Sequence, residues 1–356
     1  MKDLEYLLKL MVEKKASDLY LKVDAPPTYR LQEKEAFFRL NEKLTAQDTQ
    51  NIAEIILKNE TLRKTFYKNQ EIDLSFSLDG IGRFRCNIYK QKGTIGIVLR
   101  RVISEIPTIE ELNLPPILKE LALETRGLVL IAGAAGSGKT TTLASMVDYR
   151  NQTKEGHIIT IEDPIEFLHK DKKSMVSQRE VGIDTENFSK ALKHALRQTP
   201  DVIVIGEMRD KESMDASVFF AETGHLVLSS LHSIDAQGAL QRIIQFYPST
   251  YHQQIFMQIA LNLKAVIAQR LIQRQDAPGR IPATEILVNT PRIKDLIKRG
   301  EIDQIKKAIE AGVQEGMHTF DQDLFRLYKE GKISLENALA YADSVSNLKL
   351  KIKLTT

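Results

Sequence analysis

The stretch Gly127-Leu-Val-Leu-Ile-Ala-Gly-Ala-Ala-Gly-Ser-Gly-Lys-Thr140 decides how the rest of the chain is read. Its second half, Gly133, Ala134, Ala135, Gly136, Ser137, Gly138, Lys139 and Thr140, fits the phosphate-loop pattern G-x-x-x-x-G-K-[ST]. The flanks supply the context that such a match needs. Leu128 to Ala132 is an apolar run of strand length, and Thr141, Leu143, Ala144, Met146 and Val147 continue at helical spacing. In a strand–loop–helix of this kind the glycines let backbone N–H groups converge on phosphate oxygens, and the helix N-terminus adds a favourable dipole. Lys139 would reach the β- and γ-phosphates, and the Thr140 hydroxyl would ligate Mg²⁺. The sequence predicts a nucleoside-triphosphate site over Gly133–Thr141 rather than a glycine-rich turn that happens to carry Lys-Thr.

A chain of 356 residues exceeds one ordinary core, so two or three domains are expected. With 50 Lys and Arg against 47 Asp and Glu, the net charge of +3 points to neither nucleic acid nor a membrane surface as partner. The single cysteine, Cys86, excludes an internal disulfide and any multi-cysteine zinc site, and suits a reducing compartment. No apolar run nears the ~20 residues that span a bilayer. Leu4, Leu7, Leu8 and Met11, set among acids and lysines, read as an amphipathic helix and not a secretory signal. These features predict a cytoplasmic protein whose membrane association is at most peripheral.

Residues 1–103 read as α+β. A strand is expected over Asp18–Val23 and another over Thr28–Leu31. A helix should follow over about Ala46 to Lys58, with Thr45 as its cap, and then strands at Ile72–Leu78, Gly82–Tyr89 and Thr94–Arg101. Asp79-Gly80 sits where a hairpin turn belongs. Residues 104–116, with Pro107, Pro115 and Pro116, read as linker and hinge. Residues 117–356 change style. Apolar runs at Leu128–Ala132, Ile158–Ile161, Val202–Ile205 and Leu226–Ser230 alternate with helical segments, the mark of a mostly parallel sheet covered on both faces. From about Tyr251 the chain reads as helical with a β-prone patch at Pro282–Leu287, and a helical C-terminal subdomain starts near residue 270. Helices are expected at Phe320–Tyr328 and Leu335–Tyr341, and the Lys-rich Leu348–Lys353 reads as a solvated tail.

Cleaving a triphosphate takes carboxylates at the strand ends beside the loop, to hold Mg²⁺ and orient the attacking water. Val202 to Ile205 is fully apolar and runs into Gly206-Glu207, which makes Glu207 one candidate. Glu162, Asp163 and Glu166, following the strand at Ile161, are the others, with a solvated acidic turn as the alternative. His225 and His232 bracket one strand and sit too far apart to share a metal. A strand-end histidine is first a structural group, with a sensor or shuttle beside the γ-phosphate as its functional alternative. Arg83, Arg85, Arg100 and Arg101 lie on paired strands of the first domain. On the residues alone they read as a solvated basic face, although a guanidinium also offers bidentate phosphate contact.

Together the motifs resemble the secretion ATPase superfamily of type IV pilus and type II secretion motors. Gly133–Thr140 resembles its phosphate loop, and Thr160-Ile-Glu-Asp-Pro-Ile-Glu-Phe167 its aspartate box. Gly206-Glu-Met-Arg-Asp210 resembles its Walker B element, and Ala221-Glu-Thr-Gly-His-Leu226 with Leu231-His232 its histidine box. The chain is most similar to the PilT/PilU family of pilus retraction ATPases. Phe167-Leu-His169, Gln178-Arg-Glu-Val-Gly182 and Glu315-Gly-Met-His-Thr-Phe-Asp-Gln322 place it nearer the PilU branch. PilT proteins carry Ala-Ile-Arg-Asn-Leu-Ile where this chain reads Pro291-Arg-Ile-Lys-Asp-Leu-Ile297, and relatives usually carry Pro or Gly then Thr where it has Ala134-Ala135.

The resemblance implies an α/β protein with a PAS-like α+β N-terminal domain, a flexible linker and a RecA-like ATPase domain, assembled as a homohexamer. It implies ATP and Mg²⁺ as ligands, with Glu207 as the glutamate that activates water. Glu162 and Glu166 would be acids near Mg²⁺, and His232 a residue at the γ-phosphate. Arg85 and Arg100 would be the arginines through which the first domain closes on the nucleotide. An inner-membrane platform protein at the pilus base and a PilT paralogue are the implied partners. An assembly or secretion motor, a DNA-translocating RecA-type ATPase and a non-enzymatic ATP-binding regulator are the rivals. The near-neutral charge and the lack of a basic, aromatic-studded stretch speak against the DNA motor.

Overall fold

The computed structural model describes residues 3–31, 36–102 and 105–355, which form two compact units. The first comprises residues up to Glu105 together with Glu166–Leu168, and the second holds Ile106–Ile165 and His169 onward. Residues 103 and 104, where the first domain was expected to end and the linker to begin, lie outside the described residues.

In the first unit, β1 (Ala16–Lys22), β2 (Thr28–Leu31), β3 (Phe37–Arg39), β4 (Glu71–Leu78), β5 (Gly82–Gln91) and β6 (Thr94–Arg101) form one antiparallel sheet in the order β3-β2-β1-β6-β5-β4. The opening helix, Leu4–Glu13, buries Leu4, Leu7, Leu8 and Met11, the positions its 3.6-residue period selects. They join Leu19, Leu21, Ile97 and Leu99 in the unit's core. Thr45 caps the helix Ala46–Ile56 in a reciprocal capping box with Asp48. A further helix, Glu60–Asn69, begins at Asn59; its polar composition gave the sequence reading nothing periodic to find. Pairing registers align Ser75, Arg85, Arg100 and Asp18 in one row across β4, β5, β6 and β1, so Arg85 and Arg100 are direct cross-strand neighbours.

The second unit is built on β7 (Gly127–Gly133), β8 (Gly156–Glu162), β9 (Ser174–Glu180), β10 (Val202–Ile205), β11 (Leu226–Leu231), β12 (Leu263–Gln273) and β13 (Arg280–Val288). Their order is β13-β12-β7-β11-β10-β8-β9, parallel throughout except for the antiparallel β13. Every residue of β7 is buried. Leu128, Leu130 and Ala132 enter one core, while Val129 and Ile131 enter the core on the other face. This two-residue alternation explains why the run reads as continuously apolar.

Three expectations are corrected here. The stretch after Tyr251 is not all helix: β12 runs for eleven residues beside β7. Its sequence, Leu-Lys-Ala-Val-Ile-Ala-Gln-Arg-Leu-Ile-Gln, is β-branched only in part, so propensity undercalled it. The Lys-rich end is not a solvated tail but part of a helix, Val345–Thr355, with Leu348 and Ile352 buried. Most of the expected hinge packs within the second unit. Ile109 and Leu114 are buried, and the Ser145 hydroxyl donates to the Pro107 carbonyl at 2.6 Å. Strand β9 and the short β3 also went unread; β9, Ser-Met-Val-Ser-Gln-Arg-Glu, is too polar to stand out. Pro282 sits in β13, an edge strand, where a missing N–H is tolerated.

Candidate active site

Parallel strands that share a direction bring their following loops to one edge of the sheet, and in open α/β folds ligands bind at that carboxyl edge. The loop after β7, Glu162 at the end of β8, Glu207 after β10 and His232 after β11 all lie along it. His225 precedes β11 and so sits at the opposite edge. Its Nδ1 lies 3.1 Å from both the Phe220 carbonyl oxygen and Thr223 Oγ1, and its ring packs edge-on against Phe220, a structural role.

The loop itself is shaped by close packing. A Cβ at Gly133 would lie 2.2 Å from Ser137 Oγ and 2.9 Å from the Gln269 carbonyl oxygen, so only glycine fits where β7 turns into the loop. The helix Lys139–Thr153 follows, its first residue buried at 8% exposure. Lys139 Nζ donates to the carbonyls of Gly133 at 2.8 Å and Ala134 at 2.9 Å, lying back over its own loop. Burial lowers the affinity of this amine for its proton, and Glu207 opposes the shift. Ala134, Ala135, Gly136 and Thr140 are exposed, Gly138 and Thr141 are partly so, and Ser137 is buried.

Glu207 stands opposite in a charged cluster. Its Oε1 is 3.1 Å from His232 Nε2, and its Oε2 accepts from Arg209 Nε at 2.8 Å. Arg209 also lies 3.6 Å from Asp163, and the hydrogen bond to Glu207 holds its guanidinium more firmly in the charged form. Gly206 lets the chain pass closely. Its N–H donates to the Ile161 carbonyl at 2.8 Å, and a Cβ there would approach Glu162 Cα at 3.3 Å. Glu162 Oε1 accepts from Thr160 Oγ1 at 2.7 Å and from Gln178 Nε2 at 3.1 Å.

The remaining candidates are held elsewhere. Glu166 groups with the first unit, where Arg85 Nη2 pairs with it at 2.5 Å. Arg100 donates through Nε to Asp18 Oδ1 at 2.8 Å. Asp18 is 2% exposed and takes a second hydrogen bond from Ser17 Oγ at 2.8 Å. The sequence reading missed Asp18 because it lies 82 residues from its partner. Arg209 was within reach of it, since an arginine two residues beyond a strand-end glutamate can fold back upon it.

Among the described residues no three His, Cys, Asp or Glu side chains cluster as metal ligands. The oxygen donors of Thr140, Glu162 and Glu207 nevertheless suit Mg²⁺, which takes one or two carboxylates and completes its shell with phosphate and water.

A phosphate loop between β7 and a helix, with carboxylates at neighbouring strand ends, defines a RecA-like P-loop nucleotide-binding protein. The chain belongs to the type II/IV secretion system protein family, whose profile matches residues 97–339. It is 47% identical to the type IV pilus ATPase PilU of Pseudomonas aeruginosa, over 99% of this chain and 92% of that one. It is 41% identical to the retraction ATPase PilT of the same organism, over 94% and 97%. The crystal structure of the pilus retraction motor PilT with bound ADP superposes with a TM-score of 0.91 at 39% identity, covering 98% of this chain and all of that one. Among the described residues no helix is long and apolar enough to cross a membrane.

Proposed function

We propose that this chain is the ATP-hydrolysing subunit of a homohexameric motor that powers or assists type IV pilus retraction. The observation that carries this reading is the presence together of a buried Lys139, folded into a glycine loop after β7, and a Glu207 carboxylate just after β10 in the same sheet. The similarity to PilU and PilT supports the choice of retraction over assembly. In this reading the backbone of Gly133–Thr141 binds the phosphates, and Lys139 leaves the Gly133 and Ala134 carbonyls to meet them. Thr140, with Glu162 and Glu207 directly or through water, would hold Mg²⁺, which supplies neutralising charge to the phosphates when bound. Glu207 accepts the proton of the attacking water, while His232 and Arg209 fix its two oxygens. Arg85 and Arg100 are the proposed phosphate contacts of the first unit, and Glu166 and Asp18 must release them. Glu166 is thus better placed to hold Arg85 than to serve Mg²⁺. The protein would work from the cytoplasm at the inner-membrane platform protein of the pilus, alongside a PilT paralogue.

Lys139→Ala is expected to abolish Mg-ATP turnover by the purified protein, and normal turnover in that variant would refute the site. A deletion strain is expected to carry more surface pili than its parent. A bald strain would instead mark an assembly motor.

A further inference from the structure

We propose that Gln269 is a positioning residue of the phosphate loop, acting through the hydroxyl of Thr142. The inference rests on the reading of Gly133–Thr141 as a phosphate site and names a residue outside that stretch which sets its shape. Gln269 lies on β12 in register with Gly133, at the point where β7 gives way to the loop. Its carbonyl oxygen is one of the two atoms that exclude any side chain at Gly133. The side chain is 2% exposed, and its Nε2 donates to Thr142 Oγ1 at 2.9 Å in a wholly buried bond between residues 127 apart. Thr142 belongs to the first turn of the helix Lys139–Thr153, and its N–H donates to the Gly138 carbonyl. Backbone and side chain of Gln269 therefore grip the two ends of the loop, where the strand stops and where the helix starts.

The next residue fixes the strand from its other face. Arg270 donates to the Tyr341 carbonyl at 2.7 Å, pairs with Asp343 at 2.7 Å and lies 3.8 Å above the ring of Phe320. Strand β12 is thus held against the C-terminal helices on one side while it holds the loop on the other. Gln269 Oε1 is shut from solvent without a hydrogen-bond partner among the described residues, as is Ser137 Oγ in the middle of the loop. A buried polar pair left unsatisfied is costly to keep. Two such atoms flanking the Gly133 turn belong to a part of the fold shaped for something other than stability. Loop N–H groups converge on an anion only if the strand end and the helix start keep a fixed separation. Gln269 supplies that constraint without touching the nucleotide.

The test is a double-mutant cycle on the full-length protein, read by titration with the fluorescent nucleotide mant-ADP plus Mg²⁺ and by steady-state ATP turnover. Gln269→Leu and Thr142→Val are each expected to raise the mant-ADP Kd and the ATP KM about tenfold, the worth of one buried hydrogen bond. The kcat at saturating ATP should fall less than about threefold, because the reacting groups are untouched. The double variant should bind no worse than either single one, and Thr142→Ser, which restores the hydroxyl, should recover the affinity. Additive losses, an unchanged Kd in Gln269→Leu, or a loss confined to kcat would overturn the proposal. If Gln269→Leu does not fold, the contrast between Thr142→Val and Thr142→Ser decides it alone. A parent protein that neither binds mant-ADP nor turns over ATP would overturn both readings. A parent that does both beside indifferent variants sinks only this one.

Discussion

Glu207→Gln keeps the shape of the side chain and one acceptor oxygen while removing the charge and the capacity to take a proton. Three quantities then move by different amounts. A positioned general base contributes about a hundred- to ten-thousandfold to turnover, so kcat should fall by about that factor. Fold stability should hardly change. Arg209, the stronger partner of Glu207, has a side chain 56% exposed, and an ion pair so open to water is worth under about 1 kcal/mol. Nucleotide affinity should rise. Glu207 is the carboxylate whose field acts on Lys139, so it also faces the place where phosphates would lie. At an effective dielectric constant of about 20, a unit charge is worth about 4 kcal/mol at about 4 Å and proportionally less farther away, before ionic screening. A gain of up to about tenfold in ATP affinity is therefore expected. Phosphate release under single-turnover conditions, mant-ATP titration and thermal melting measure the three separately. Turnover above about a tenth of the parent's, or affinity that falls in step with turnover, would refute the assignment of Glu207 as the base.

Arg100→Ala strands the buried Asp18 carboxylate and should destabilise the first unit by about 3 kcal/mol in urea unfolding. The double variant Asp18→Asn/Arg100→Ala should recover most of that loss, so its turnover, not that of the single variant, reports on Arg100 at the phosphates. Burial raises the Glu285 carboxyl to about 7, against an opposing hydrogen bond from the Ala236 N–H and with Asp235 and Asp343 adding to the rise. The folded state therefore keeps a proton that the unfolded state sheds between about pH 4.5 and 7. Stability contributed by this group should fall across that window and level off above it, by up to about 3 kcal/mol. Glu285→Gln should flatten the profile in denaturant titrations at stepped pH. Leu348→Ala should cost about 2–5 kcal/mol while Leu350→Ala, at an exposed position on the same helix, costs almost nothing in thermal melts.

Much of this was legible in the residues because local chemistry wrote it there. The strand–loop–helix at Gly133–Thr140, four of the five inner parallel strands (β7, β8, β10 and β11), the Thr45 cap and the Asp79-Gly80 turn each follow from neighbours in sequence. What escaped depends on partners far along the chain. Strand β12 contains no breaker and little alternation, and only its place beside β7 makes it a strand. The final helix carries Lys349, Lys351 and Lys353, which hide the spacing of Leu348 and Ile352. At the site, the grip of Gln269 on Thr142 and of Asp18 on Arg100 spans 127 and 82 residues, and no periodicity encodes such a pair. The acids of the Glu162–Glu166 stretch looked equivalent. The structure gives them different partners: Glu162, at the end of β8, accepts from Gln178, and Glu166 pairs with Arg85.

The position of Lys139 over its own loop bears on the search for inhibitors. A neutral compound shaped for the base and sugar alone leaves the ammonium resting on two amide oxygens and draws nothing from it. Only a head group with negative charge, such as a phosphonate, sulfonate or carboxylate, offers that ammonium a better companion than it already has. If Gly133–Thr141 is the proposed phosphate site, a competitor that carries an anionic group gains a contact with Lys139 that a neutral one does not.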